Sequence, residues 1–300
     1  MEDYIVSVET TVDTGKEYLD KNNIPNVSLT YLIDDVVRHD FDLTSEQFYK
    51  LLDEGKMPTT SQVNEATYEE FFNELLKQGK DILHVGFDSG ISGSVNSAKS
   101  AAKKINETSA NKVYVVDTLC ASAGQGLLLQ LVLDNKKNGM SLQDNLKFIE
   151  DTKENVNHWF TVTNLDTLIR GGRVSKVAGY AAKMLNICPV LRVDYHGRLE
   201  TFEKVRMKKK ALERLVSLME ENAENGLDYD GYCYISNSGC YGDAKYVKDL
   251  VDTKFTKLKM PTVISDIGSV IGSHTGRGCI ALFFVGTNRN KYPERNDGDK

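Results

Sequence analysis

Three short stretches of this 300-residue chain gather hydroxyls, glycines and one imidazole in patterns that could hold an anion. The first is Met57-Pro58-Thr59-Thr60-Ser61-Gln62, just ahead of a helical pattern over 65–78. The second, Ser89-Gly90-Ile91-Ser92-Gly93-Ser94, follows an apolar run over 81–87 and opens another helix. The third covers 268–278 and sets His274 among Gly272, Gly276 and Gly278. Free N–H groups and the helix dipole both favour negative charge at a helix start. Thr60 and Ser92 therefore suit a carboxylate or phosphate; as readily, they suit N-caps that satisfy their own helices. The three glycines give the backbone around His274 room to approach a ligand, with a purely structural histidine as the alternative. His39, His84, His158 and His196 fall in strands or turns without such a setting.

A fourth stretch, 168–175, ends a helix on Gly171-Gly172 and leaves Arg170 and Arg173 available. Further on, Lys204, Arg206, Lys208, Lys209 and Lys210 lead into an amphipathic helix that also carries Arg214. Such concentrated charge could dock an acidic partner or touch an anionic membrane surface transiently; a solvated helix face is the plain alternative. Familiar enzyme signatures fail. In Gly90-Ile91-Ser92-Gly93 the second glycine arrives one residue too early for a nucleophile elbow. No G-x-x-x-x-G-K-[ST] is present, and Gly124-Gln125-Gly126 lacks the later glycine of a dinucleotide fingerprint. No H-E-x-x-H or Cys/His grouping offers a metal site.

The elements that must position these residues follow from patterning. Apolar runs over 4–9, 27–33, 81–87, 112–117, 159–162, 190–194, 232–236, 262–267 and 279–285 predict strands. Helices are predicted over 45–54, 65–78, 94–106, 122–138, 142–155, 177–186, 208–225 and 244–257. The alternation predicts an α/β fold with mainly parallel sheets. A polar helix over 141–157 places the domain boundary there, giving domains over 1–155 and 156–287 and a frayed polar tail over 288–300. A net charge of −6 argues against nucleic acid as a partner. The longest apolar stretches, 126–133 and 280–285, fall far short of the roughly 20 residues that span a bilayer. An acidic start without a signal-peptide pattern predicts a cytoplasmic protein. Five cysteines without C-x-x-C spacing predict free thiols.

Taken in order, these stretches resemble the DegV family, fatty-acid-binding proteins that serve a bacterial fatty acid kinase. The resemblance rests on Thr60-Ser61-Gln62, Ser89-Gly90-Ile91-Ser92-Gly93-Ser94, Gly171-Gly172-Arg173 and Gly272-Ser273-His274-Thr275-Gly276, with Pro189-Val190-Leu191 through His196-Gly197 to Arg206 in support. It implies two α/β domains enclosing a long-chain fatty acid, whose carboxyl group meets Thr60, Ser92 and His274. Ser61, Gln62, Gly93, Ser273 and Thr275 are then the supporting head-group loops. Arg173 and Arg206 fall at the head-group end or the kinase surface. The bound acid would be presented to an ATP-dependent kinase, giving an acyl phosphate for phospholipid synthesis. The chain departs from the family pattern at Glu9-Thr10, usually Asp-Ser, and at Val63 and Arg277, where proline is common. Arg277 is expected to bring a guanidinium near the head group.

Three functional readings are open on the residues alone. One is a lipid-binding carrier with no catalytic residue, metal or cofactor of its own, the fatty acid being its ligand. Another is an acyl hydrolase with Ser92 as nucleophile and His274 as base. The third is a binding protein for a polar anion such as a sugar phosphate.

Overall fold

The computed structural model describes residues 3–163, 165–175 and 187–292. The chain opens with strand β1 (Ile5–Glu9), helix α1 (Lys16–Lys21) and three short strands, β2 (Asn26–Val27), β3 (Thr30–Ile33) and β4 (Val36–His39). Helix α2 (Ser45–Asp53), strand β5 (Thr59–Ser61) and helix α3 (Glu65–Leu76) lead to β6 (Ile82–Gly86), α4 (Ser94–Thr108) and β7 (Val113–Asp117). Helices α5 (Ala123–Lys137) and α6 (Leu142–Thr152) follow, then β8 (Val156–Thr161), α7 (Asp166–Arg170) and a hairpin of β9 (Ile187–Val193) and β10 (Leu199–Arg206). The rest is α8 (Lys208–Asn222), β11 (Tyr234–Asn237), α9 (Tyr241–Lys254), β12 (Val263–Asp266), α10 (Ser269–Thr275) and β13 (Ile280–Val285).

Three sheets result. One has the order β2-β1-β6-β7 with every pair parallel. Its central strands β1 and β6 are buried at every position, as a sheet covered on both faces requires. A second has the order β10-β9-β8-β13-β11-β12, and here the expectation of mainly parallel pairing is corrected. Only β11 and β12 run parallel; β10-β9, β9-β8, β8-β13 and β13-β11 are antiparallel. Apolar runs report burial on both faces and carry no information on direction, which the connections decide. The third sheet, β4-β3-β5, is small and antiparallel. All strands of the four-stranded sheet precede α6, and all strands of the six-stranded sheet follow it.

Helix α5 packs against β8, β11 and β13 and also against the 3₁₀ turn Thr10–Val12 after β1. Its residues from Ala123 to Leu129 are buried in sequence, so this helix is a shared layer rather than a one-faced amphipath. A Cβ on Gly124 would stand 2.3 Å from His158 Nε2, so the absence of a side chain sets how closely α5 meets β8. One apolar core then runs from β1 and β6 through Leu127 and Leu128 to Phe160 and Phe283.

The end of the chain corrects the expected fraying over 288–300 as far as Tyr292. Arg289 is 3% exposed and donates to Leu119 O at 2.9 Å and Lys153 O at 3.1 Å. Tyr292 donates to Asn222 Oδ1 at 2.9 Å and packs edge-on against Trp159. The remaining tail and the helix predicted over 177–186 lie outside the described residues. Among the described residues no helix is long and apolar enough to cross a membrane.

Candidate functional site

Strand β5 is three polar residues with no apolar alternation, and it exists because β3 pairs with it, Tyr31 opposite Thr60. Helix α10 packs on β3, β5, α2 and α7. This packing brings Thr60 Oγ1 to 2.7 Å from His274 Nε2 across 214 positions of sequence. His274 lies on a helix, not in the glycine-rich loop that the sequence suggests. The glycines around it serve packing: a Cβ on Gly272 would meet Tyr49 Oη at 2.7 Å, one on Gly276 Thr167 Oγ1 at 2.9 Å, and one on Gly278 Thr163 Oγ1 at 2.2 Å.

On the other side of the imidazole, α7 ends at Gly171, where a Cβ would stand 2.1 Å from His274 Nδ1. That nitrogen is buried and has no hydrogen-bond partner. Burial, then the charges of Arg173 and Arg170, lower the His274 pKa to about 4, so the ring is neutral at pH 7. A neutral imidazole has one donor and one acceptor nitrogen. With the proton on Nε2 and donated to Thr60 Oγ1, the acceptor nitrogen is Nδ1, on the side of Gly171. The hydroxyl proton of Thr60 is then left to point at an incoming oxygen.

Ser92 is joined to this pair through neighbours rather than directly. Its Oγ accepts from Ser94 N at 3.2 Å and its N–H donates to Asp88 O at 3.1 Å, so the hydroxyl proton is not used in the turn. Ser94 Oγ accepts from Val63 N at 3.0 Å, and Gln62 Nε2 donates to Ser97 Oγ at 3.2 Å. Gln62 also fills the space a Cβ on Gly93 would occupy, 2.1 Å from its Oε1. The two hydroxyl segments thus interlock. Arg173 joins its own stretch, 168–175, to the Ser92 turn: its Nε donates to Ile91 O at 3.0 Å and its guanidinium to Gly171 O at 2.5 Å. The cap of α3 is Asn64, accepting from Thr67 N, which removes the N-cap reading of Thr60. Ser61 is exposed opposite Thr30. Ser273 and Thr275, expected in the head-group loops, turn their hydroxyls to Ser269 O and Ile271 O of their own helix. Arg206 ends β10 as an exposed residue.

The fold and these contacts can be set beside known proteins. Residues 5–287 match the family described as "Uncharacterised protein, DegV family". The chain belongs to the DegV family. A DegV domain-containing protein of Clostridium perfringens is 36% identical over 293 residues, covering 95% of this chain and 98% of its own. DegV of Bacillus subtilis, described as a fatty acid binding protein, superposes with a TM-score of 0.83 at 25% identity, covering 96% of this chain and 100% of its own. A DegV family protein of Ruminococcus gnavus, described with vaccenic acid, gives a TM-score of 0.83 at 25% identity over 93% of this chain and 99% of its own.

The departures from the DegV pattern now have physical reasons. Val63 uses its N–H on Ser94 Oγ, a bond no proline could donate. The Arg277 guanidinium is corrected: it does not reach the site but pairs with Asp53 at 3.0 Å, donates to Gly239 O at 2.7 Å and covers the Tyr49 ring. Glu9 is fully buried, accepting from Tyr68 Oη at 2.7 Å, Phe87 N at 2.9 Å and Gln125 Nε2 at 3.1 Å. His84 Nε2 lies 3.2 Å from the same carboxylate, and Ser7 Oγ lies 3.0 Å from His84 Nδ1. Burial alone would raise the Glu9 pKa, but the His84 charge and the hydrogen bonds from His84 and Tyr68 hold it below the usual value. His84, read from sequence as a plain strand histidine, is thus the middle of a serine–imidazole–carboxylate series sealed in the core. Among the described residues, no group of three or more His, Cys, Asp or Glu side chains is placed to hold a metal ion.

Proposed function

We propose that this protein binds a long-chain fatty acid and offers its carboxyl group, at Thr60, Ser92 and His274, to a separate ATP-dependent fatty acid kinase. The observation that carries the reading is the 2.7 Å contact between Thr60 and a neutral His274, beside the interlocked turn of Ser92. The descriptions of the Bacillus subtilis and Ruminococcus gnavus relatives support the ligand class. A buried carboxylate must be hydrogen-bonded. Neutral hydroxyls do this without the desolvation cost of a buried salt bridge, and they leave one oxygen open to a phosphoryl group. Burying about 15 methylenes contributes on the order of 12 kcal/mol gross, and association costs at least about 4. Micromolar or tighter binding fits inside that difference.

The hydrolase reading has less support, because the hydroxyl that meets His274 is that of Thr60 and not of Ser92. A carrier without catalysis of its own is the reading preferred here. Mass spectrometry of the denatured, purified protein tests it. The expected outcome is co-purified long-chain fatty acid near one per chain. Recovery of a sugar phosphate or other polar anion instead, or turnover of p-nitrophenyl acyl esters, would replace this reading with one of the other two. With kinase and ATP added, the bound acid should be converted to acyl phosphate.

A further inference from the structure

Helix α10 carries His274 near its C-terminal end, yet nothing in its own sequence caps its start. Its N-cap is Gly268, which has no side chain to accept from the first turn. A seven-residue helix is also far below the length that holds itself in water. Its missing acceptors come from the opposite end of the chain. Asp13 Oδ1 accepts from Gly268 N at 2.9 Å, and Asp40 Oδ1 accepts from Val270 N at 2.8 Å. Each carboxylate is itself held: Thr10 Oγ1 donates to Asp40 Oδ2 at 2.7 Å, and Ser122 Oγ to Asp13 Oδ2 at 2.5 Å. Both are only 4% exposed. A Cβ on Gly268 would stand 3.0 Å from an oxygen of each, so the glycine admits them.

Asp40 comes directly after β4. β4 pairs with β3, and β3 pairs with β5, which carries Thr60. The small sheet therefore holds one partner of the Thr60–His274 contact directly and is joined to the other through Asp40. We infer that Asp40 is a positioning residue for His274, fixing α10 on the three-stranded sheet through Val270 so that the imidazole meets Thr60. The ligand named in the test rests on the fatty-acid reading above; the positioning does not. Burial raises the Asp40 pKa, but a protonated carboxyl keeps Oδ1 as an acceptor, so the cap survives loss of the charge. An amide at this position can do the same.

The test uses the full chain with labelled histidine, followed by NMR without ligand, and oleate titrations on the same samples. In Asp40→Ala the His274 pKa should rise from about 4 toward the ordinary 6.5, and oleate affinity should fall about tenfold, as the loss of a helix cap suggests. Asp40→Asn should restore both. In a His274→Ala background, Asp40→Ala should weaken oleate binding no further. Should Asp40→Ala fail to fold, Thr10→Val loosens the same carboxylate and should move the His274 titration in the same direction. An unmoved His274 titration in the folded variant, or an equal loss of affinity in the His274→Ala background, would overturn the inference. If no variant and no wild-type protein takes up oleate, the fatty-acid reading fails, and the His274 titration still decides the role of Asp40.

Discussion

His84 and His274 each sit between a hydroxyl and a second polar group, and they illustrate opposite uses of the same chemistry. Around His84 the hydroxyl, the ring and the acid come from adjacent parallel strands. Ser7 pairs in register with His84, and Glu9 lies two residues along the same face of β1. The sheet supplies that arrangement without any long-range assembly. It is closed on all sides: Ser7, His84 and Glu9 are fully buried, and Tyr68, Phe71 and Phe72 ring the imidazole. His274 needs a small sheet and two short helices to come together, and it and Thr60 stay partly exposed, whereas the His84 cluster is sealed. A sealed cluster stabilises the fold; a partly open one can take a ligand. The series that most resembles a catalytic triad on paper is therefore the one that cannot act.

The largest expected effect breaks the closed cluster. Glu9→Ala would leave Tyr68 Oη, Phe87 N–H, Gln125 Nε2 and His84 without their shared acceptor. Removing one member of such a buried pair costs about 3–5 kcal/mol. Urea unfolding should show a loss of that size, whereas His274→Ala should change the midpoint little. Equal losses at both sites would erase the distinction between them.

Next in size is the open cluster. Thr60→Val keeps the shape of the side chain and removes the hydroxyl, so fatty-acid affinity should fall by about 1–3 kcal/mol with the fold intact. Ser92→Ala should do the same, since its hydroxyl proton is the other free donor. Calorimetric titration with oleate measures both. An unchanged affinity in both variants would mean that the carboxyl group lies elsewhere.

How much of this could be read from sequence follows the same division. Strands β1, β6 and β7 of the parallel sheet and the long helices were legible because their apolar patterning is local; the single run over 27–33 is instead divided between β2 of that sheet and β3 of the small one. Thr60, Ser92 and His274 were legible as residue types in glycine-rich, hydroxyl-rich stretches. The elements that present them were not. Strand β5 is Thr-Thr-Ser and takes its conformation from β3. Helix α10 is Ser-Val-Ile-Gly-Ser-His-Thr and reads as a loop, because its caps, Asp13 and Asp40, lie more than 200 residues away. Nothing local marks either aspartate. The antiparallel course of β8, β9 and β13 was hidden for a related reason: pairing direction depends on how the connections run in space.

A third region is neither sealed nor assembled, and it should matter to a partner alone. In the basic run, Lys208 is paired with Asp243 and Lys210 with Glu213, so that part serves the surface of α8 and α9. Lys204 and Arg206 face outward from β10. Arg206→Ala is expected to leave fatty-acid content normal while slowing kinase-dependent acyl-phosphate formation, most clearly at low ionic strength, because rim charges act chiefly on association rate. Loss of bound lipid would move Arg206 into the site, and an unchanged rate at limiting carrier would remove it from both roles.

The last expected effect concerns acid, and it tests the setting of His274 directly. Its pKa is lowered from 6.5 to about 4, by burial first and then by Arg173 and Arg170. The unfolded chain takes up the proton near pH 6.5; the folded chain does not until about pH 4. Between those values the unfolded state binds more protons, so stability must fall as the pH drops through the window. His274→Ala removes that contribution. His158, which burial and then Arg289 push down to about 3, retains its own in both proteins. The difference between wild-type and His274→Ala midpoints in urea, followed from pH 7 to pH 4.5, should therefore slope, with the wild type losing more stability toward acid. A flat difference would mean that His274 titrates like a solvated histidine. The imidazole would then be open to water, and burial would not be what lowers its pKa.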